Sequence, residues 1–267
     1  MKKRIIFIAT LLVTIFAFAA CGGDSENRIS LNGSTSVERV IASLMEAFME
    51  EHPGIIMTFD ATGSGAGITS AQEGTADIGL SSRHLRDNET GIDATIFAID
   101  GLAVIVHTDN PVSNLSTEQI AQIYTGEITN WSAVGGLDNP IAVIGREAGS
   151  GSRGAFDDII GIDGRTAHDQ ELTSGGAVIT AVAANPFAIG YSSLSAVGDS
   201  VNKVAVNGVE CTEANLLSGA YPVQRPFIMM TQSGAEISEA TRMFIEFTKS
   251  PEAEQIIYNA GVIQAQP

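Results

Sequence analysis

The residues with the clearest chemical potential are an arginine and the hydroxyls that follow it, in "GREAGSGSRGAF" at 145–156. Arg146 closes the apolar run "IAVIG", where a guanidinium could turn into a cleft and hold an oxyanion with two N–H groups. Ser150, Gly151 and Ser152 come next, offering small side chains, hydroxyl donors and uncluttered backbone N–H groups. Three other turns share this chemistry. They are "NGSTSV" at 32–37 with Thr35 and Ser36, "TGSGAG" at 62–67 with Ser64, and "GLSSR" at 79–83 with Ser82. Each follows a strand pattern and is read as opening a helix, where backbone N–H groups gather and favour negative charge. A tetrahedral oxyanion needs donors from several directions, and four converging turns would supply them. Taken singly, each serine or threonine reads more simply as an N-cap. Four turns of one chemistry, two of them with arginine, point beyond capping.

Other chemistries fit less well. Gly149, Gly151 and Gly154 match G-x-G-x-x-G, and Asp169 and Glu171 follow about 20 residues on, as a dinucleotide fingerprint asks. Against it stand Arg153 inside the turn, the mid-chain position, and the export signal described next. No glycine turn carries the lysine of a phosphate-binding P-loop, and no serine sits in G-x-S-x-G. His52, His84, His107 and His168 are scattered and read as surface or helix-end residues. Neither a metal nor a cofactor is expected.

The elements that must position these turns alternate between strand and helix. "RISLNG", "IIMTFDAT", "ADIGLSS", "IAVIGR", "AIGYSS" and "RPFIMMT" read as strands, and "ATIFAIDGLAVIVH" as two strand segments broken near Gly101. In the first helix Val37, Val40, Ile41, Leu44 and Phe48 share one face, with Pro53 as a stop. The pattern predicts an α/β fold with parallel sheets, long enough for two lobes and a cleft. Residues 1–20 stand apart. "MKKR" followed by "IIFIATLLVTIFAFAA" is an export signal rather than a structural helix. "FAAC" resembles a lipobox, which would make Cys21 the lipidated N-terminus and residues 21–26 a polar tether. Cys211, the other of two cysteines, is then alone, so no disulfide framework is expected. Without Lys2, Lys3 and Arg4 the formal charge of −17 becomes −20, which disfavours nucleic acid as a partner.

The mature chain resembles the phosphate-binding proteins of bacterial ABC phosphate importers, from "ISLNGSTSV" to "SPEAEQIIYNAGVI". The most specific piece is "LSTEQIAQIYTGEITNWSAVGG" at 115–136; "GREAGSGSRGAF", "NPFAIGYSSL" and "YPVQRPFIMMT" match in order. The resemblance implies a two-lobed periplasmic-binding-protein-like fold of type II, with lobes of 27–104 plus 223–267 and of 105–222. It implies a non-enzymatic monomer that captures inorganic phosphate and passes it to ABC permease subunits, held to the cell membrane by lipid. It assigns phosphate contacts to Thr35, Ser36, Ser64, Ser82, Arg146, Ser150, Gly151 and Ser152. Longer members carry an aspartate where this chain has Ser82. A carboxylate there accepts the proton of hydrogen phosphate and repels sulfate, and Ser82 does not repel. Glu147 is a substitute acceptor or a local ion-pair partner of Arg146. Sulfate, molybdate or tungstate binding, or an exported phosphatase or hydrolase using a serine turn, remain the rival readings.

Overall fold

A computed structural model describes residues 27–265; the export signal, Cys21 and the tether lie outside the described residues. The strands are β1 (Arg28–Gly33), β2 (Ile56–Ala61), β3 (Ile78–Ser81), β4 (Ile92–Val106), β5 (Asn114–Leu115), β6 (Ala142–Arg146), β7 (Gln170–Leu172), β8 (Ala188–Ser193), β9 (Asn202–Val206), β10 (Gln224–Gln232) and β11 (Ile263–Gln264). The helices are α1 (Glu38–Glu51), α2 (Ser64–Glu73), α3 (Thr117–Tyr124), α4 (Gly151–Ile160), α5 (Gly175–Ala183), α6 (Glu213–Leu217), α7 (Glu239–Phe247) and α8 (Pro251–Asn259).

Strand order runs β2-β1-β3-β10-β4-β8-β6-β7. Pairing is parallel among β2, β1 and β3, antiparallel through β10 and β4 to β8, and parallel again through β6 and β7. Two lobes result, each with its own core. One core gathers Ile29, Leu31, Ile41, Leu44, Phe48, Leu80, Phe97, Phe227, Phe244 and Ile257. The other gathers Leu102 to Val106, Ile120, Tyr124, Trp131, Phe156, Ile189, Tyr191 and Val204.

The expected apolar face of α1 is the buried one: Val37, Val40, Ile41, Leu44 and Phe48 are each at most 2% exposed. Each such side chain contributes roughly 1.5–3 kcal/mol on leaving water. Phe48 meets Phe244 of α7 edge-on at 5.2 Å, which fixes α1 against the closing helices. Helix starts are set by side chains. Ser116 and Gln119 form a capping box on α3. Ser250 caps α8, with Pro251 in its first turn.

Four expectations need correction. The sheet is mixed rather than parallel, because β10 runs antiparallel to β3 and β4, and β4 antiparallel to β8. The run 92–106 is one 15-residue strand, not two. Gly101 stays paired with Gln224, and its missing Cβ makes room for the Cys211 thiol and the Leu216 side chain. "GLSSR" opens no helix. Its own side chains satisfy the turn: Ser81 Oγ bonds both ends of Arg83, and the Arg83 guanidinium forks onto Glu89 at 2.6 and 2.8 Å. His168 is not a surface residue: its ring is 1% exposed, lies over Gly145, and meets Tyr124 edge-on at 5.9 Å. That burial pushes its pKa down.

Candidate functional site

Strand ends and helix starts bring all four turns to one cleft between the lobes. From the first lobe come Ser34, Thr35 and Ser36 after β1, Ser64 at the start of α2, and Ser82 just past β3. From the second come Arg146 at the end of β6 and Ser150, Gly151 and Ser152 at the start of α4. Every residue expected at the site is therefore here. Ser64, Ser82, Arg146, Ser150 and Ser152 are at most 3% exposed.

The hydroxyls touch across the cleft. Ser36 Oγ and Ser152 Oγ lie 2.8 Å apart, joining the lobes. Ser82 Oγ accepts from Ser34 Oγ at 2.8 Å and lies 3.3 Å from Ser64 Oγ. The backbone closes the same seam: Gly65 N–H donates to Gly149 O at 3.2 Å. Gly151 sits so close that a Cβ on it would overlap the Ser64 and Ser82 hydroxyls. Here glycine is required for the approach of two lobes, not for a turn. Ser150 caps α4, its Oγ accepting from the N–H groups of Ser152 and Arg153 at 3.2 and 3.4 Å.

Arg146 is held rigidly. Its Nε donates to Leu172 O at 3.0 Å, and its Nη2 to Thr173 O at 2.8 Å, Glu147 Oε1 at 3.0 Å and Thr35 Oγ1 at 3.3 Å. The Thr35 contact crosses the cleft. Its Nη1 is buried and has no partner among the described residues. A locked guanidinium with one N–H face unspent is a preorganised oxyanion donor. Arg83 and Arg153 are different: each is spent on carboxylates, Arg83 on Glu89 and Arg153 on Glu171 at 2.7 Å and Asp157 at 3.6 Å.

A second buried guanidinium, Arg225 on β10, was not foreseen. It faces Asp100 across the β4–β10 ladder, its Nε and Nη2 bonding Asp100 Oδ2 at 3.0 and 2.9 Å. Both side chains are 0% exposed. Burial raises the Asp100 carboxyl pKa, against the pull of Arg225 and of the Ser193 hydroxyl, which donates to Oδ1 at 2.8 Å. The remaining nitrogen, Nη1, donates to Ser152 Oγ at 2.7 Å and Ser82 Oγ at 3.2 Å. One side chain on the crossing strands thus touches both walls of the cleft. The sequence signal was a lone charge in each of two apolar runs, "FAIDGLAV" and "QRPFIMM".

The cleft holds two guanidinium groups, each beside a carboxylate. What it offers an anion is a set of aimed N–H and O–H donors rather than net positive charge. A model of the PBP superfamily domain matches residues 22–252. The chain belongs to the PBP superfamily. Among solved structures, it is 40% identical to one from Clostridium perfringens described as that of a phosphate ABC transporter substrate-binding protein with bound phosphate. That alignment covers 90% of this chain and 100% of the other, with a TM-score of 0.86. An ABC-type phosphate transport receptor from Vibrio cholerae is 36% identical, covering 90% and 100%, with a TM-score of 0.76. The phosphate-binding protein PstS of Borreliella burgdorferi is 29% identical, with 98% of each chain covered. The family resemblance and the two-lobed α/β fold read from the sequence both hold.

Proposed function

We infer that this protein captures inorganic phosphate between its lobes and delivers it to the permease of an ABC importer, without catalysing a reaction. The observation that carries this reading is Arg146. Its guanidinium is fully buried at the lobe boundary, fixed by two carbonyls, with Nη2 reaching Thr35 Oγ1 of the other lobe and Nη1 unpartnered among the described residues. The similarity to phosphate ABC transporter proteins supports it.

In this reading the phosphate oxygens take donors from Arg146, from the Thr35, Ser36, Ser64, Ser82, Ser150 and Ser152 hydroxyls, and from the backbone N–H group of Gly151. Charge-assisted hydrogen bonds contribute roughly 1.5–3 kcal/mol each, enough together to hold a dehydrated anion in an acidic protein. The lobes are 27–104 with 223–267 and 105–222; the two separate cores support a division of this kind, with Leu102 to Val104 and Val223 packing in the second core. The protein works outside the cytoplasm as a monomer, tethered by lipid on Cys21. The sequence supports the anchor, and no described helix is long and apolar enough to cross a membrane.

Calorimetry on ligand-stripped mature protein with phosphate, sulfate and molybdate tests the function. Saturable heat with phosphate is expected. Heat with sulfate or molybdate but none with phosphate would overturn the reading in favour of another oxyanion.

A further inference from the structure

Two polar atoms on neighbouring residues of the cleft, Arg146 Nη1 and Glu147 Oε2, are buried with no hydrogen-bond partner among the described residues. Their groups are already joined, Nη2 to Oε1 at 3.0 Å. The spare donor and the spare acceptor therefore lie within the span of one small ion. Leaving either unmet in the bound state is costly, so the complementary ligand must accept hydrogen bonds on one side and donate one on the other.

The other buried carboxylate of the site is committed. Asp100 Oδ1 takes the Ser193 hydroxyl and Oδ2 takes Arg225 twice. Ser82 Oγ already accepts from Ser34 Oγ and Arg225 Nη1, so its own proton goes to Ser64 Oγ at 3.3 Å or to whatever fills the cleft. Glu147 Oε2 is then the carboxylate oxygen of this cleft left to receive a ligand's proton.

We propose that Glu147 is the specificity-determining residue of this site: its Oε2 accepts the O–H of a protonated phosphate while Arg146 Nη1 donates to another oxygen of the same ion. This rests on the phosphate reading above. Sulfate carries no proton at neutral pH. Its oxygens would face Oε2 lone pair against lone pair, and sulfate is rejected on that account. The carboxylate that reads the proton sits beside the arginine rather than at position 82.

The test is calorimetry of phosphate and sulfate with the mature protein, with Glu147→Gln and with Glu147→Ala. The unsubstituted protein should bind phosphate and give no heat with sulfate. In Glu147→Gln the amide can donate where the carboxylate repelled, so sulfate binding should emerge while phosphate weakens. The phosphate-to-sulfate affinity ratio should fall on the order of ten- to a hundredfold, the worth of one hydrogen bond to a charged group. Glu147→Ala, which removes the repelling oxygen altogether, should move the ratio the same way. If Glu147 merely braces Arg146, both anions weaken together and the ratio stays fixed, which overturns the proposal and leaves phosphate capture standing. Sulfate binding by the unsubstituted protein as tight as phosphate binding also overturns it. No phosphate binding by the unsubstituted protein would instead strike the parent reading.

Discussion

Replacing Arg225 by methionine isolates what the buried pair contributes. Arg225 and Asp100 are both 0% exposed, so the substitution leaves a carboxylate in the interior with Ser193 Oγ as its remaining side-chain partner. Breaking one side of a buried pair costs about 3–5 kcal/mol, because the orphaned charge must be neutralised or hydrated. For a chain of this size that corresponds to a fall of about 6–20 °C in melting temperature. The double variant Arg225→Met, Asp100→Asn removes the charge as well and should recover at least half of the loss. Thermal melts by circular dichroism on the three proteins give the comparison. Phosphate affinity adds a second readout: the double variant should still bind weakly even where its stability recovers, since Nη1 no longer orients the Ser82 and Ser152 hydroxyls. A single variant that melts within about 2 °C of the parent would refute the assignment of a structural charge pair.

Arg146→Ala should abolish phosphate binding in calorimetry while the protein stays folded; unchanged affinity would remove Arg146 from the site. Gly151→Ala places a methyl against the Ser64 and Ser82 hydroxyls of the opposite lobe. It should cut phosphate affinity at least about a hundredfold by holding the lobes apart, and small-angle scattering with saturating phosphate should show no compaction. Asp157 is the pH-sensitive group of α4. Burial lifts its pKa to about 6, above its ordinary value, with Arg153 pulling the other way. The folded state therefore holds this proton more tightly than the unfolded chain, so its contribution to stability is lost as pH rises from about 4 to 6. Asp157→Asn should be more stable than the parent at pH 7.5 by about 1–2 kcal/mol after allowance for solvent screening, with the gap closing near pH 4 in melts across that range.

One stretch of the second-lobe wall of the cleft was legible in the sequence because its parts are contiguous, whereas Thr173, Ser174 and Ser192 lie further along the chain. A strand end, an arginine and a capped glycine helix start lie within eight residues, Gly145 to Ser152. Asp100 and Arg225 escaped for the opposite reason. They are 125 positions apart and become neighbours through the antiparallel register of β4 and β10, which no local pattern announces. Gly101 misled in a specific way. A glycine inside an apolar run suggests a break, yet its role is to let Cys211 and Leu216 approach a strand that continues unbroken. Ser34 was passed over beside Thr35 and Ser36, since spacing alone does not say which hydroxyl of a turn points inward. The burial of His168 has no local signal, because nothing in the surrounding sequence marks the Tyr124 ring or the bare backbone of Gly145 that cover it.

The continuity of β4 has a mechanical consequence. The lobes are joined near Leu102 and Val223 by two chains hydrogen-bonded to one another, Leu102 N–H to Val223 O at 2.8 Å and Gln224 opposite Gly101. Such a hinge is a pleated ribbon rather than a pair of loose cords. A ribbon flexes across its thin dimension and resists shearing within its plane, so the lobes should swing along one arc. The torsions that closure must freeze are already fixed by the ladder, and little of the anion's binding free energy is lost to ordering the joint. Stiffening is then set by the length of that ladder, and a proline at Gln224 would act on the swing without touching a single donor in the cleft.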